Sequence, residues 1–372
     1  MLHGMAVSTP PPAWPEGPWD VLVLGAGIHG LCTAFWLVQR GVRRIAVLDR
    51  YGPGHALGSS HGGTRITRTS YHDAKFVALA QAAHRDGWPT LERALAQPLR
   101  VPTPGVFHGP PGGPFDAYLV AATQVPDVLE PLSPTAAAAR FPVLRFAAGD
   151  AVLHDHSAAV VLAARTMAAL RAWLAAHGVQ FGWHQGVEHL EADAHGVRAA
   201  TAQGCLCAAG AVVAAGPELA TLAADLAPPL TVVHQQVGYF ALDAAAATLE
   251  PGAFPVWAHV APGPAGFTYG LPALEGAGAK AAVHRTTAPA QPEHASPEPD
   301  PAELLAMARA RFTVPVLGLA ATERCRYTMT QDQDFRVERR PGAPLVGIAA
   351  CSGHGFKFGP EIGRLAAARL LD

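Results

Sequence analysis

The chain has 372 residues, half of them hydrophobic and 15% charged, with a formal net charge of −2. Length suggests about two domains, and the composition is that of a folded chain with ample apolar material for a core. The near balance of charge gives no electrostatic case for nucleic acid or an anionic membrane as partner, and no run reaches the ~18 apolar residues of a membrane span. Residues 1–18 carry Pro10, Pro11, Pro12, Pro15 and Pro18 and lack the basic start and apolar core of a signal peptide. A flexible tail on a soluble, cytoplasmic protein is expected. The five cysteines, Cys32, Cys205, Cys207, Cys325 and Cys351, suggest no disulfide framework, and Cys205 and Cys207 read as buried strand thiols.

The first ordered stretch is the most informative. Val21-Leu22-Val23-Leu24 is a short apolar run of the kind buried on both faces of a parallel sheet. Gly25, Gly27 and Gly30 follow as G-x-G-x-x-G, and Leu31–Arg40 continues as a helical pattern closed by Gly41. A second strand, Ile45–Leu48, ends on Asp49, 19 residues after Gly30. A dinucleotide fold needs about 20 residues between its last glycine and the acid that holds the adenosine ribose. Gly25 allows the tight turn, Gly27 lets a pyrophosphate approach the backbone, and Gly30 lets the helix pack on the strand. The helix N-terminus offers free N–H groups to the phosphates. These features predict a dinucleotide site without separating FAD from NAD.

Beyond Asp49 the chain is loop-like, then runs Ser59-Ser60-His61-Gly62-Gly63-Thr64-Arg65-Ile66-Thr67-Arg68, with two arginines three residues apart. A polar, glycine-rich loop of this kind beside a nucleotide site reads as a cover over the cofactor, its arginines toward anionic groups. Residues 74–96 read as helix, Arg100–Phe107 as a strand, and Val160–Gly178 as an amphipathic helix. Strands are expected at Val179–Trp183, Val187–Glu191, Val197–Thr201, Val232–Phe240, Phe254–His259 and Phe267–Leu271. Ala211–Gly216 has the form of a strand rejoining a nucleotide sheet. Thr287–Pro301 reads as a surface loop and Glu303–Phe312 as a helix. Leu345–Ala350 is an apolar strand leading through Cys351-Ser352-Gly353-His354-Gly355-Phe356-Lys357-Phe358 into a last helix, Glu361–Leu371. This second glycine-rich turn aims another helix N-terminus at something electron-rich. His154-Asp155-His156 reads as a polar turn cluster, and no metal site is expected.

Four motifs in this order are specific together: G-A-G-x-x-G with Asp49, S-S-H-x-G-x-T-R-x-x-R, C-x-Y-T-x-T from Cys325, and S-G-H-G-F-K-F. The chain resembles the monomeric sarcosine oxidase / N-methyltryptophan oxidase family of flavin amine oxidases, from about Trp19 to its end. Tyr269, Lys280 eleven residues on and His284 four beyond match the family's spacing.

The resemblance implies an α/β fold with a discontinuous Rossmann-type FAD domain and an α+β, β-rich substrate domain. The expected division is 19–90, 150–222 and 322–372 for the FAD domain, and 91–149 and 223–321 for the substrate domain. Cys325 matches the cysteine that forms a thioether to FAD. Gly25, Gly27, Gly30, Asp49, Ser60, His61, Arg65, Gly355, Phe356 and Lys357 are the further cofactor-binding positions, His61 and Arg65 beside the isoalloxazine. Arg68 and Lys357 match the pair that holds the substrate carboxylate. Lys280 matches the lysine that promotes reaction with O2, where a fixed cation stabilises the charge of superoxide. Tyr269, His284 and Tyr327 match residues lining the substrate cavity. Departures stand at Gly62, where the family often has a second His, at Gly216-Pro217-Glu218, often Gly-Ala-Trp, and at Glu338, often Asp.

The implied reaction is oxidation of a C–N bond α to a carboxylate in a small secondary amino acid, N-methylated or cyclic. Hydride goes to flavin N5, the imine is hydrolysed by water, and O2 is reduced to hydrogen peroxide. The expected partners are the amino acid and O2, with the protein a monomer. The alternatives are a flavin dehydrogenase passing electrons to a quinone or protein acceptor, and an NAD-binding Rossmann protein. Sarcosine, N-methyltryptophan, pipecolate, proline-like amines and a biosynthetic imine-forming substrate remain open.

Overall fold

The computed structural model describes residues 18–274, 276, 278–287 and 300–372. The expected N-terminal tail, except Pro18, and most of the loop Thr287–Pro301 lie outside the described residues. The remainder is a mixed α/β structure with two 8-stranded sheets and a 3-stranded one.

The first sheet grows around Trp19–Leu24. This strand runs parallel to Ile45–Leu48 on one side and to Gly204–Val213 on the other. Gln180–Gly182 and Leu345–Ala349 extend the parallel part. The antiparallel strands Val187–Asp193, Gly196–Thr201 and Arg336–Arg339 complete it. Alternate side chains enter different cores, as the strand's period of two requires. Val21, Val23, Ile45 and Val47 pack against the helices Ile28–Gln39, Ala163–Ala176 and Gly359–Leu371. Leu22, Leu24, Ala46 and Leu48 face the opposite core with Leu190, Leu219 and Leu226. Each large aliphatic side chain fully buried in this way contributes roughly 1.5–3 kcal/mol. The last helix lies tight on the first: a Cβ at Gly363 would stand 2.5 Å from the backbone of Cys32.

The second sheet has the order Val316–Thr330, Leu230–Leu242, Ala279–Val283, Phe267–Leu271, Val256–Val260, Gly105–Gly109, Ala151–Asp155, Leu129–Leu132. The third joins Thr64–Thr67 and Arg100–Pro102 to opposite edges of Ala159–Leu162.

Several expectations are corrected. The break at 322 falls inside Val316–Thr330, which pairs along its length with Leu230–Leu242 and so belongs to the second sheet. Ala151–Asp155, assigned to the FAD segment beginning at 150, also lies in the second sheet. The helix expected from Val160 starts at Ala163; the β-branched Val160 and Val161 are drawn into a strand by partners on both sides. Arg100–Phe107 is divided between two strands of different sheets. Residues 74–96 are helical but interrupted by a π-turn at Ala83–Gly87. His154 and Asp155 end a strand and are not themselves in a turn. Cys205 and Cys207 are exposed, because Leu206 is the residue their strand turns inward.

Candidate active site

A cavity of about 410 Å³ connects the glycine-rich turn of the first sheet with the inner face of the second. Its first part is made of backbone. Gly25 has φ +104°, and a Cβ there would stand 2.4 Å from the Ala214 carbonyl oxygen. A Cβ on Gly30 would collide with the Gly25 carbonyl oxygen at 1.9 Å. Only glycine meets both demands. The Ile28 amide donates to Ser60 Oγ at 3.1 Å, which seats the Ser59–Arg68 loop on the helix N-terminus. Asp49 Oδ2 accepts from the Ala26 amide and Oδ1 from the Tyr51 amide, both at 2.8 Å. Each oxygen keeps a lone pair for a further donor. The second glycine-rich turn returns to the first through His29, whose Nε2 lies 3.2 Å from the Gly355 carbonyl oxygen. Burial lowers His29 to about 4, so the ring donates this bond as a neutral imidazole.

The second part of the cavity comes from side chains of the second sheet. Glu323, Cys325 and Tyr327 alternate along Val316–Thr330 and all line the cavity. Lys280 stands opposite Leu271 in the neighbouring strands, on the cavity side. Its Nζ lies 3.3 Å from Glu323 Oε2, to which the Tyr239 hydroxyl also donates at 2.9 Å. Burial and the Arg65 guanidinium lower Lys280, while Glu323 opposes them. For Glu323, burial acts upward but is outweighed by Lys280, the Tyr239 hydroxyl and Arg65, which hold the carboxyl below its ordinary range. Burial pushes the Cys325 thiol up, and Arg65 and Lys280 pull it down. Both ring nitrogens of His61 face carbonyl oxygens, of Gly58 at 2.8 Å and Arg324 at 2.7 Å. The hydroxyls of Tyr269 and Tyr327 are 3.1 Å apart, and burial pushes Tyr269 up to about 12.

The third part is a cationic recess. Arg68 is 6% exposed, and its buried NH1 has no hydrogen-bond partner. Its guanidinium lies 4.0 Å from the centre of the Tyr71 ring. Lys357 Nζ donates to the Tyr71 hydroxyl at 3.0 Å and to the His354 carbonyl at 3.2 Å. Burial, Arg68 and Arg65 lower Lys357 well below the ordinary lysine range. Burial, Arg68 and Lys357 lower His284 to about 4. Among the described residues no carboxylate pairs with Arg68 or Lys357. Asp155 holds the segment in shape from behind: its Oδ2 accepts from the amides of Thr69 and Ser70 at 2.7 and 2.8 Å. An uncompensated buried cation is costly, so this recess is built for an anion.

All the residues anticipated from the sequence border this one cavity except Gly30, which packs behind the turn. Tyr71 and Glu323 were not anticipated. Strand alternation back from Cys325 would have found Glu323. Tyr71 lies in a loop, without a periodic signal. Gly62 acquires a reason: a Cβ there would stand 2.5 Å from Glu323 Oε1.

The glycine cradle, the acid after the second strand and the second glycine turn suit a flavin dinucleotide. The family described as FAD dependent oxidoreductase matches residues 20–369, and the chain belongs to that family. It is an FAD-dependent oxidoreductase acting on amine donors. Among curated relatives, the monomeric sarcosine oxidase of Streptomyces avermitilis is 31% identical over 360 residues, covering 94% of this chain and 92% of that protein. The N-methyl-L-tryptophan oxidase of Salmonella typhi is 28% identical, covering 94% of each. Among solved structures, NikD, an unusual amino acid oxidase essential for nikkomycin biosynthesis, superposes with a TM-score of 0.81 at 22% identity, covering 96% of this chain and 95% of that one. Glycine oxidase from Geobacillus kaustophilus superposes with a TM-score of 0.77 at 18% identity, over 96% and 95% of the two chains. These two likenesses concern the fold.

Proposed function

We propose that the protein is a sarcosine oxidase-like oxidase of a small secondary amino acid, N-methylated or cyclic. The carbon–nitrogen bond α to the carboxylate is oxidised to an imine and O2 is reduced to hydrogen peroxide. The observation that carries this reading is the cationic recess of Arg68 and Lys357, which no carboxylate among the described residues balances and whose donors suit one. Bound FAD supplies the two-electron acceptor for the substrate hydride. Gly25, Gly27 and Gly30 with the helix N-terminus would hold its pyrophosphate, and Asp49 its ribose. Ser60, His61, Arg65, Gly355 and Phe356 complete its surroundings. The first sheet and its helices form the proposed cofactor domain, and the second sheet the substrate domain.

Arg68 contributes a planar fork and Lys357 a point charge, and together they orient the amino acid. Tyr269, Tyr327 and His284 wall the space beside them. At neutral pH Tyr269 (about 12) and His284 (about 4) are uncharged. The substrate's own ammonium is therefore the group whose proton must leave before hydride transfer. Lys280 is the cation proposed to stabilise charge developing on O2. Cys325 is proposed as the point of covalent attachment; burial raises its thiol above the ordinary range, and Arg65 and Lys280 offset part of that rise. A monomer is proposed by analogy with the monomeric sarcosine oxidase of Streptomyces avermitilis. The cytoplasmic proposal rests on the five unpaired thiols.

Anaerobic mixing with sarcosine, N-methyltryptophan, pipecolate and proline tests the reading. At least one should bleach the visible flavin band; reduction by none of them, or only by amines without a carboxylate, would overturn it. Acid precipitation tests the link: flavin should stay in the pellet for wild type and move to the supernatant for Cys325→Ala. A coloured wild-type supernatant contradicts attachment. One observation favours the second reading, a dehydrogenase passing electrons to a quinone or protein: Glu323 partly neutralises Lys280. Peroxide formed in air in equal amount to imine decides for the oxidase.

A further inference from the structure

Glu130, His154 and His156 form a cluster on the outer side of the second sheet, and none of them borders the cavity. Glu130 in strand Leu129–Leu132 stands directly opposite His154 in strand Ala151–Asp155. His156 follows two residues later and turns to the same side, whereas Asp155 between them points inward to Thr69 and Ser70. Glu130 Oε2 lies 3.5 Å from His154 Nδ1 and 3.2 Å from His156 Nε2. His154 is 1% exposed; its Nε2 has no hydrogen-bond partner, and Nδ1 has only the Glu130 carboxylate oxygen at 3.5 Å, too far for a good hydrogen bond. A buried polar ring left in this state is costly unless something binds it.

Zinc bound tetrahedrally at about 2.0–2.1 Å to nitrogen and oxygen sets its ligand atoms about 3.3–3.4 Å apart. The two spacings here bracket that edge. We propose that Glu130, His154 and His156 bind one divalent transition-metal ion of the zinc class, with water in the fourth position. That position faces solvent, where the Glu130 and His156 side chains are 49% and 48% exposed. The ion would tie the outermost strand of the sheet, Leu129–Leu132, to its neighbour. A second cluster on the sheet, His108, Asp150 and His259, differs in kind. His108 Nδ1 donates to Asp150 Oδ2 at 2.7 Å, a hydrogen bond too short for two ligands of one tetrahedral ion.

The test is calorimetric titration of the chelator-treated holoprotein with Zn2+, followed by thermal melting with and without the ion. One Zn2+ per chain and a raised melting temperature are expected. His156→Ala and Glu130→Gln, both on the half-exposed side, should each weaken binding at least tenfold and leave flavin reduction by substrate unchanged. His154→Ala can fail to fold because the ring is buried, so those two variants decide. Absence of saturable binding at one ion per chain, or binding unaltered in both variants, would overturn the site.

Discussion

The part of the cavity lined by glycine and the recess beside Tyr71 are built by opposite means. The first is backbone: a left-handed Gly25, close approaches that exclude a Cβ, and amide groups already shared with Asp49 and Ser60. The second is side chains brought from distant segments, Arg68, Tyr71, His284 and Lys357. The two buried lysines show the same contrast on a smaller scale. Lys280 has a carboxylate partner 3.3 Å away, whereas Lys357 has a hydroxyl and a carbonyl. A dinucleotide is the same in every enzyme that uses it, and a backbone cradle suffices. A substrate carboxylate must be chosen and turned, and in the proposed function that is the task of the recess, where no carboxylate among the described residues pairs with Arg68 or Lys357.

Breaking the first part should have the largest effect. Gly25→Ala places a Cβ 2.4 Å from a fixed carbonyl at a φ that alanine resists. The purified variant should be colourless and inactive; a variant retaining flavin would show that the turn yields. Next is Arg68→Gln. Loss of two charge-assisted hydrogen bonds, each worth about 1.5–3 kcal/mol, lowers kcat/KM by about 10²–10⁴-fold, read from steady-state kinetics, with flavin content unchanged.

Lys357 sharpens the comparison through pH. Its folded pKa lies below the unfolded value, so between the two the unfolded chain holds the extra proton. Apoprotein stability should therefore rise with pH across that window, and Lys357→Met should reduce the slope in denaturant melts, leaving the share that the lowered Lys280 contributes. A bound carboxylate favours the ammonium and acts in the opposite sense. A small monocarboxylate without an amine should bind more weakly as pH rises, while the rate of flavin reduction by substrate rises as the bound amine loses its proton. A flat profile for flavin reduction would contradict the proposed chemistry. The smallest effect is expected at Glu323. At pH values where Lys280 keeps its proton, Glu323→Gln frees the Lys280 charge and should speed reoxidation by O2 about three- to tenfold, roughly 0.7–1.4 kcal/mol, in stopped-flow traces; the gain should fade as pH rises, because Glu323 helps to hold that proton. Lys280→Met should slow reoxidation far more than reduction.

The contrast also explains what could be read in advance. The backbone cradle is local in the chain, with Gly25 to Asp49 inside two strands and a helix, and was legible outright. Cys325, Tyr327, Lys280 and Lys357 were legible through their motifs, and the cavity does gather them. Pairings between distant strands were not. Apolar Val160-Val161-Leu162 fits a helix or a strand by pattern alone, and two neighbouring strands decide it. Val316–Thr330 belongs to the second sheet because Leu230–Leu242 pairs with it, a fact no local pattern contains. Glu130 meets His154 for the same reason, across a ladder and 24 residues of chain.

The most direct measurement compares an N-methyl amino acid with the amine that differs from it only in lacking the carboxylate. Both are mixed anaerobically with wild type and with Arg68→Gln, and flavin reduction is followed. Wild type should be reduced by the amino acid at least about 10²-fold more efficiently, and Arg68→Gln should erase most of that preference by losing the amino acid alone. Equal reduction by both compounds in wild type, or a preference that survives in the variant, would contradict the proposed function.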